Sequence, residues 1–485
     1  MFRHLERQNL KKATNGLYQN ARHIQTYKKY VEGLHRSGPH STKRGKKLAT
    51  AQSKQTCAAA ILALLLLLAA AAPVRASEPG PFSDTLTGDW LGMRTWLKDH
   101  GLDFTVVYTS ETAYNPQGGQ EHSALYTDQL SFGFAFDLEK LLGLNDAQFQ
   151  ISITDRNGHN LSGTQNLGTL QQVQELYGRG QTWLITQFWY TQTYLNQAID
   201  WKVGRLTVGE DFAAFSCEFM NLTFCGAPPG NIVNYWYNWP ISQWASRVRV
   251  AINGFGYFQV GGYVADSNYL LQRYAFTLAQ PSGATGALIP AELGWLPHLG
   301  ANQLPGSYRF GVWDNTSRSS DVVENTLGQP LLLDGGTPRT RNGAYGGYIN
   351  ILQQLIRGSA DSRQGLNLFL NLTFADRRTS MIDNQMAIGL TYTGLVASRP
   401  QDDIAIAFGR THVNSRVTRA QELAASSGVL DTEAQTAEYV SELYYSLHAT
   451  RWLKLRPNIQ YIHQPGGISN RTDDIVLGLK AIASL

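Results

Sequence analysis

The sequence predicts an all-β fold: one transmembrane barrel of sixteen antiparallel strands, preceded by a short N-terminal helix. Three observations lead there. Apolar side chains recur at every second position through most of the chain. Long and short connections alternate between the strands so defined. The first 76 residues carry a basic and then apolar leader of the kind that directs export.

The leader explains the charge. Residues 1–76 hold 14 Lys and Arg against Glu6 and Glu32, which leaves 27 basic and 35 acidic residues of the chain's 41 and 37, a net of about −8. The formal charge of +4 therefore comes from the leader, and a nucleic-acid partner is excluded as its explanation. An apolar run of about 15 residues, Ala58 to Ala72, follows Lys43, Arg44, Lys46, Lys47 and Lys54. Pro73-Val74-Arg75-Ala76-Ser77 comes next, with small residues where a signal peptidase needs them, so cleavage is expected between Ala76 and Ser77. A membrane-spanning helix needs nearer ~20 apolar residues, and no later stretch approaches that length. The segment ahead of the apolar core is long for a signal, which a downstream start at Val31 or Leu48 would explain. Residues 77–485 are then expected to form a single domain, since no internal repeat or low-complexity tract divides them.

Within that domain the alternation is clearest at Leu366, Leu368, Leu370, Leu372 and Phe374, opposite Asn367, Asn371 and Thr373. Leu130, Phe132, Phe134 and Phe136 repeat the pattern, as do Val248, Val250 and Ile252, and Ile404, Ile406 and Phe408. Strands are expected over 102–114, 124–138, 147–154, 183–194, 200–208, 244–252, 257–264, 287–296, 307–314, 343–356, 366–375, 385–394, 403–412, 437–449, 453–462 and 474–485. Connections on one rim are long, reaching about 28 residues over 155–182 and 35 over 209–243, while those on the other stay near 3–10. An even count places both ends on the short-turn rim, and the absence of water in lipid requires the sheet to close. Pro290 sits inside one expected strand, against the usual preference.

Gly88 to Gly101 reads as the short helix, with Trp90, Met93 and Leu97 at helical spacing. The last strand carries Ile475, Leu477, Leu479, Ala481, Ala483 and Leu485 on one face, the kind of terminal signal that barrel-assembly machinery reads, although it lacks a terminal aromatic residue. Cys57 leaves with the leader. Cys217 and Cys225 are expected to form one disulfide, in a compartment that permits it; zinc is the weaker alternative, since no His or CxxC lies between them.

Several segments together resemble the carbohydrate-selective porins of the OprB type. They are Gly88-Asp-Trp-Leu-Gly-Met-Arg-Thr95 ahead of Gly101-Leu-Asp-Phe104, then Phe136-Asp-Leu-Glu-Lys-Leu-Leu-Gly143 and Val203-Gly-Arg-Leu-Thr-Val-Gly-Glu-Asp-Phe212. Asn221-Leu-Thr-Phe-Cys-Gly226 and Leu455-Arg-Pro-Asn-Ile-Gln-Tyr-Ile-His-Gln-Pro-Gly-Gly467 complete the set. The likeness spans 82–485. It implies a barrel whose long loops fold inward to narrow the channel, an outer-membrane location, and passive passage of monosaccharides such as glucose.

A sugar channel needs polar groups that replace hydration, held weakly enough for release. Arg205, Arg247 and Arg249 fall on predicted lumen faces, and Arg309 is placed with them; a guanidinium offers fixed donors to vicinal hydroxyls. Those arginines equally suit acidic loop residues, holding a loop inside the barrel. The loop over 155–182 adds Arg156, Glu175 and Arg179, and the loop over 209–243 adds Asp211 and the aromatic run Tyr235, Trp236 and Trp239. That run can stack on sugar or pack the loop onto the wall. His412, His448 and His463, with Ser441 and Ser446, are the thin signal for a barrel enzyme. No metal-ligand spacing, nucleotide motif or cofactor signature is present. The expected partners are a sugar, outer-membrane lipid and the assembly machinery, with a homotrimer and a monomer both open. A general or anion-selective porin is the alternative function, followed by a barrel enzyme or adhesin.

Overall fold

The computed structural model describes residues 80–178, 181–358 and 364–485. The leader 1–76, its cleavage site at Ala76–Ser77 and Arg179 lie outside them. Seventeen strands make one closed antiparallel sheet: β1 (Leu102–Gln117), β2 (Ala124–Asp137), β3 (Ala147–Gly158), β4 (Leu184–Tyr194), β5 (Ile199–Leu206), β6 (Gln243–Ile252), β7 (Gly256–Ala265), β8 (Gly286–Trp295), β9 (His298–Leu299), β10 (Leu304–Asn325), β11 (Pro338–Arg357), β12 (Gly365–Ala375), β13 (Ile382–Thr393), β14 (Asp403–Val413), β15 (Ala437–His448), β16 (Leu453–His463) and β17 (Asp474–Ser484). Sixteen are staves of the barrel. The seventeenth, β9, is two residues that pair with Leu304 and Pro305, while β8 pairs directly with β10. β17 closes onto β1, from Val107 opposite Ser484 to Gln117 opposite Ile475, so no edge is left unpaired in lipid.

The alternation sorts as expected. Phe374, Phe408, Ile388 and Val250 point outward and stay exposed, while Asn371, Thr373 and Gln385 on the inward faces are buried. Water-filled space does not bury them; folded chain inside the barrel does. Strand β8 exists despite Pro290. The β7–β8 ladder pairs Val260 with Ala291 and Tyr263 with Leu288 but is interrupted between them, where Pro290 has no N–H to donate.

One region departs from the sequence-based expectation. Strands β10 and β11 were expected to stop near 314 and begin near 343, but they rise as a two-stranded ribbon to Asn325 and from Pro338. Register shifts at Asn315/Arg318 and Ser320/Asn325 mark where the ribbon leaves the barrel wall. Its outer part is polar, so it carries no apolar alternation to detect. Ion pairs hold it instead: Asp321 accepts from Arg341 at 2.6 Å and Arg416 at 3.1 Å, and Glu324 from Arg339 at 2.8 Å. Arg416 belongs to α2 (Ser415–Ser426), which lies within the loop joining β14 to β15. The expected helix ahead of β1 is α1 (Met93–Asp99), entered through a single helical turn at Trp90–Gly92.

Candidate functional site: the filled lumen

Two connections fill the barrel, the shorter loop 159–183 between β3 and β4 and the longer loop 207–242 between β5 and β6. Their backbone N–H groups leave water when they enter, and each needs an acceptor or costs about 1–3 kcal/mol. Four inward glutamates supply acceptors. Glu442 of β15 takes the amides of Met220 and Asn221, both at 2.8 Å. Glu438, four residues earlier on the same inward face, takes those of Leu170 at 2.6 Å and Gln171 at 3.3 Å. Glu111 of β1 takes Leu176 at 3.2 Å, and Glu292 of β8 takes Ala213 at 2.9 Å. Inward glutamines do the same work with their amide ends: Gln460 donates to the Val173 carbonyl at 2.9 Å, and Gln259 to that of Asp211 at 2.6 Å.

Cations close the arrangement. Lys480 of β17 sits between Glu175 of the shorter loop at 2.8 Å and Glu111 at 3.2 Å, and also donates to the Cys217 carbonyl of the longer loop at 3.0 Å. Arg456 of β16 grips Glu218, with a 2.5 Å ion pair to its carboxylate and a second bond to its carbonyl. Burial pushes the Glu218 carboxyl up, but Arg456 and Lys480 outweigh that and hold it below the usual range. Cys217 and Cys225 are joined in a disulfide that closes the loop segment bearing these contacts.

The arginines singled out from sequence have divided roles. Arg205 is buried and donates to the carbonyls of Thr277 at 2.7 Å and Ser242 at 2.9 Å, with its guanidinium 4.7 Å from the Tyr269 ring centre. Arg247 pairs with Asp200 at 2.6 Å and Asp211 at 3.5 Å, and Lys202 reaches Asp211 at 3.1 Å. Both arginines therefore hold loops. Arg156 is buried and donates to Gln129 at 2.8 Å, and Trp239 donates to the same oxygen at 3.1 Å. Arg249 and Arg309 stay half-buried. Arg249 bonds Gln259 through Nε at 2.9 Å and stacks on Tyr257. Arg309 donates one bond to the Ala214 carbonyl. It lines a crevice too narrow to admit water between the longer loop and the β10–β11 wall, with Ala214, Phe215, Ser307, Asn350 and Leu352.

The aromatic run packs the longer loop onto that wall. Trp236 is fully buried, edge-on to Trp313 and Tyr348 at 5.4 and 5.9 Å. Tyr235 accepts a hydrogen bond from Trp313 at 3.2 Å, and burial pushes its hydroxyl up to about 12. Two histidine rings bond an aspartate, His412 with Asp383 and His463 with Asp473, while His448 donates its backbone N–H to Asp402 at 2.9 Å. Sequence reasoning missed Glu111, Glu292, Glu438, Glu442, Lys480 and Arg456. Their signal was present, as charges at inward positions of otherwise regular strands, but nothing marked their partners.

Residues 121–484 match the family described as carbohydrate-selective porin, OprB family. Porin B of Pseudomonas aeruginosa is 42% identical over 414 residues, covering 82% of this chain and 91% of that protein. The high-pH structure of Pseudomonas putida OprB superposes with a TM-score of 0.80 at 41% identity, over 84% of this chain and 100% of that one. The low-pH structure of Pseudomonas putida OprB gives 0.55 at 32% identity over the same shares. With a closed sixteen-stave barrel, loops drawn into its lumen and these likenesses along most of its length, the chain belongs to the OprB family of carbohydrate-selective porins of the outer membrane.

Proposed function

We propose that the chain passes monosaccharides such as glucose by energy-independent diffusion along the β10–β11 side of the lumen, with Arg309 and Arg249 as the polar groups that meet the solute. The observation that carries this reading is that Arg309 and Arg249 stay half-buried while Arg156, Arg205 and Arg247 are sealed beneath loops, with Ser307, Asn350 and Phe215 of the longer loop beside Arg309. Polar donors against one aromatic face suit the hydroxyl and C–H sides of a sugar ring, and binding through so few groups stays weak enough for release. Arg205, Arg247 and Arg156 serve this channel indirectly, by fixing the loops that shape it.

Planar-bilayer and liposome-swelling measurements test it. Glucose should permeate, and Arg309→Ala should change its rate by about threefold or more while the barrel still migrates as a folded species. Permeation by acidic solutes in place of glucose would make the arginines an anion filter and favour a general or anion-selective porin. The channel reading takes no catalytic role for the histidines, and Ser446 is held by Arg456 at 3.3 Å. It also takes residues 1–76 as a removed export signal, 77–485 as the working domain, and β17 as the strand read by assembly machinery. N-terminal mass analysis of the exported protein and native mass measurement of its oligomeric state, monomer or trimer, check these points.

A further inference from the structure

The segment ahead of β1 runs along the lipid side of the barrel. Trp90 packs at a tilt against Phe104 with ring centres 4.9 Å apart, and Phe104 belongs to the outward row of β1, stacked in turn on the outward Phe134 of β2 at 6.4 Å. Arg94 fixes the segment there. It is buried, and it donates to Thr85 Oγ1 at 2.9 Å and to the carbonyls of Phe104 and the C-terminal Leu485, both at 3.3 Å. The Leu86 amide donates to the Ser484 carbonyl at 2.8 Å. These bonds reach both β1 and the end of β17, the seam at which the barrel closes.

The other side of the segment is apolar and uncovered. Leu86 is 50% exposed, Trp90 44%, Met93 53% and Trp96 53%, and Leu91 stands fully out. Along α1, Met93, Trp96 and Leu97 share one face, with Thr95 and Lys98 opposite. The adjoining short turn continues the apolar surface with Leu142, docked through a Lys140 bond to the Lys98 carbonyl at 3.3 Å. A contiguous exposed apolar surface marks a partner. Here the surface is continuous, through the Trp90–Phe104 contact, with the lipid-facing belt. It also lies on the short-turn rim, where tryptophan favours the membrane interface.

We propose that residues 86–97 form a lipid-binding collar on the periplasmic leaflet. Leu86, Trp90, Leu91, Met93 and Trp96 enter the boundary between head groups and acyl chains, about 5–10 Å deep. The buried Arg94 transmits that anchorage to the β1–β17 seam.

The test places a fluorescent thiol label at Leu91→Cys in a Cys57→Ser background, in which the remaining cysteines are tied to each other. The exported protein is reconstituted into vesicles of phosphatidylethanolamine and phosphatidylglycerol. Nitroxide lipids labelled near the head group should quench the Leu91 site at least about threefold more than a label at the distal tip position Leu327→Cys, and its emission should be blue-shifted. Water-like emission with iodide quenching equal to that at Leu327→Cys would overturn the proposal. So would energy transfer between labelled copies without lipid quenching, which would assign the face to a second copy. Trp96→Gln should weaken lipid quenching at position 91 while the folded gel mobility persists; unchanged quenching there, with Trp90→Gln also without effect, would likewise count against the collar.

Discussion

The two loops that fill the lumen are held by different means. The shorter one, 159–183, is fastened mainly through its own backbone: Glu438 takes two of its amides and Gln460 one of its carbonyls, and Gln174 reaches back to the carbonyls of Glu111 and Leu125. The longer one, 207–242, uses the same device at Glu442 and Glu292 but adds a disulfide, an arginine clamp at Glu218 and a packed tryptophan. The difference follows from length. A longer closed segment loses more freedom when ordered, though only slowly with size, and the longer loop also meets the half-buried Arg309 through its Ala214 carbonyl.

Lys480 belongs to both systems, and its loss should have the largest effect. Lys480→Met would leave Glu111 and Glu175 buried beside each other without a cation, a change of about 3–5 kcal/mol. Thermal unfolding followed by gel mobility should shift down strongly, and single-channel recordings should show both loops fluctuating. An unaltered melting point would mean that the two carboxylates do not depend on this lysine.

Next comes the covalent tie, which separates the loops. Replacing Cys217→Ser and Cys225→Ser should cost about 2–3 kcal/mol by freeing a short ring in the unfolded chain. Current noise should rise from the longer loop alone, with proteolytic nicking confined to 207–242. Cleavage appearing within 159–183 instead would break the proposed independence of the two loops.

Glu438→Gln is the converse experiment, aimed at the shorter loop. A glutamine has one acceptor oxygen where the carboxylate has two, so at least one of the amides of Leu170, Gln171 or Gly466 loses its partner. The expected cost is about 2 kcal/mol, with hydrogen exchange accelerated at residues 170–171 and unchanged at 220–221. Equal acceleration at both places would show one cooperative plug rather than two loops.

These fastenings explain what the sequence could and could not convey. Lipid tolerates only outward apolar rows and closed hydrogen bonding, so strands such as Leu366–Phe374 announced themselves and most of the barrel strands were legible to within a few residues. Polar strand was not: Ser317 to Asn325 continues β10 without any apolar alternation. Within the lumen, Cys217, Cys225 and the aromatic run could be picked out, but a carboxylate such as Glu442 binds main-chain amides, which every residue but proline possesses. The arginines were ambiguous for a related reason. A guanidinium meets a loop carbonyl and a sugar hydroxyl with the same donors, and only placement separates Arg205, which is buried under loops, from Arg309, which stays half-buried.

The smallest expected effect is a pH response confined to the longer loop. Burial raises the Glu218 carboxyl, but Arg456 first and Lys480 next lower it further, so its folded value lies below the unfolded one. A depressed carboxyl contributes stability that is fully present above the unfolded value, about 4.3, and that is lost as pH falls through the folded value. The clamp should therefore hold unchanged from neutral pH down to about 5 and release below about 4. Because the Glu218 side chain is 49% exposed to the lumen, salt should weaken the clamp, and the release should move toward higher pH as ionic strength rises. Channel conductance recorded down to pH 3 should show this step in the parent protein and lose it in Glu218→Gln. If the step survives in that variant, acid acts elsewhere in the lumen and the clamp is not what distinguishes the longer loop.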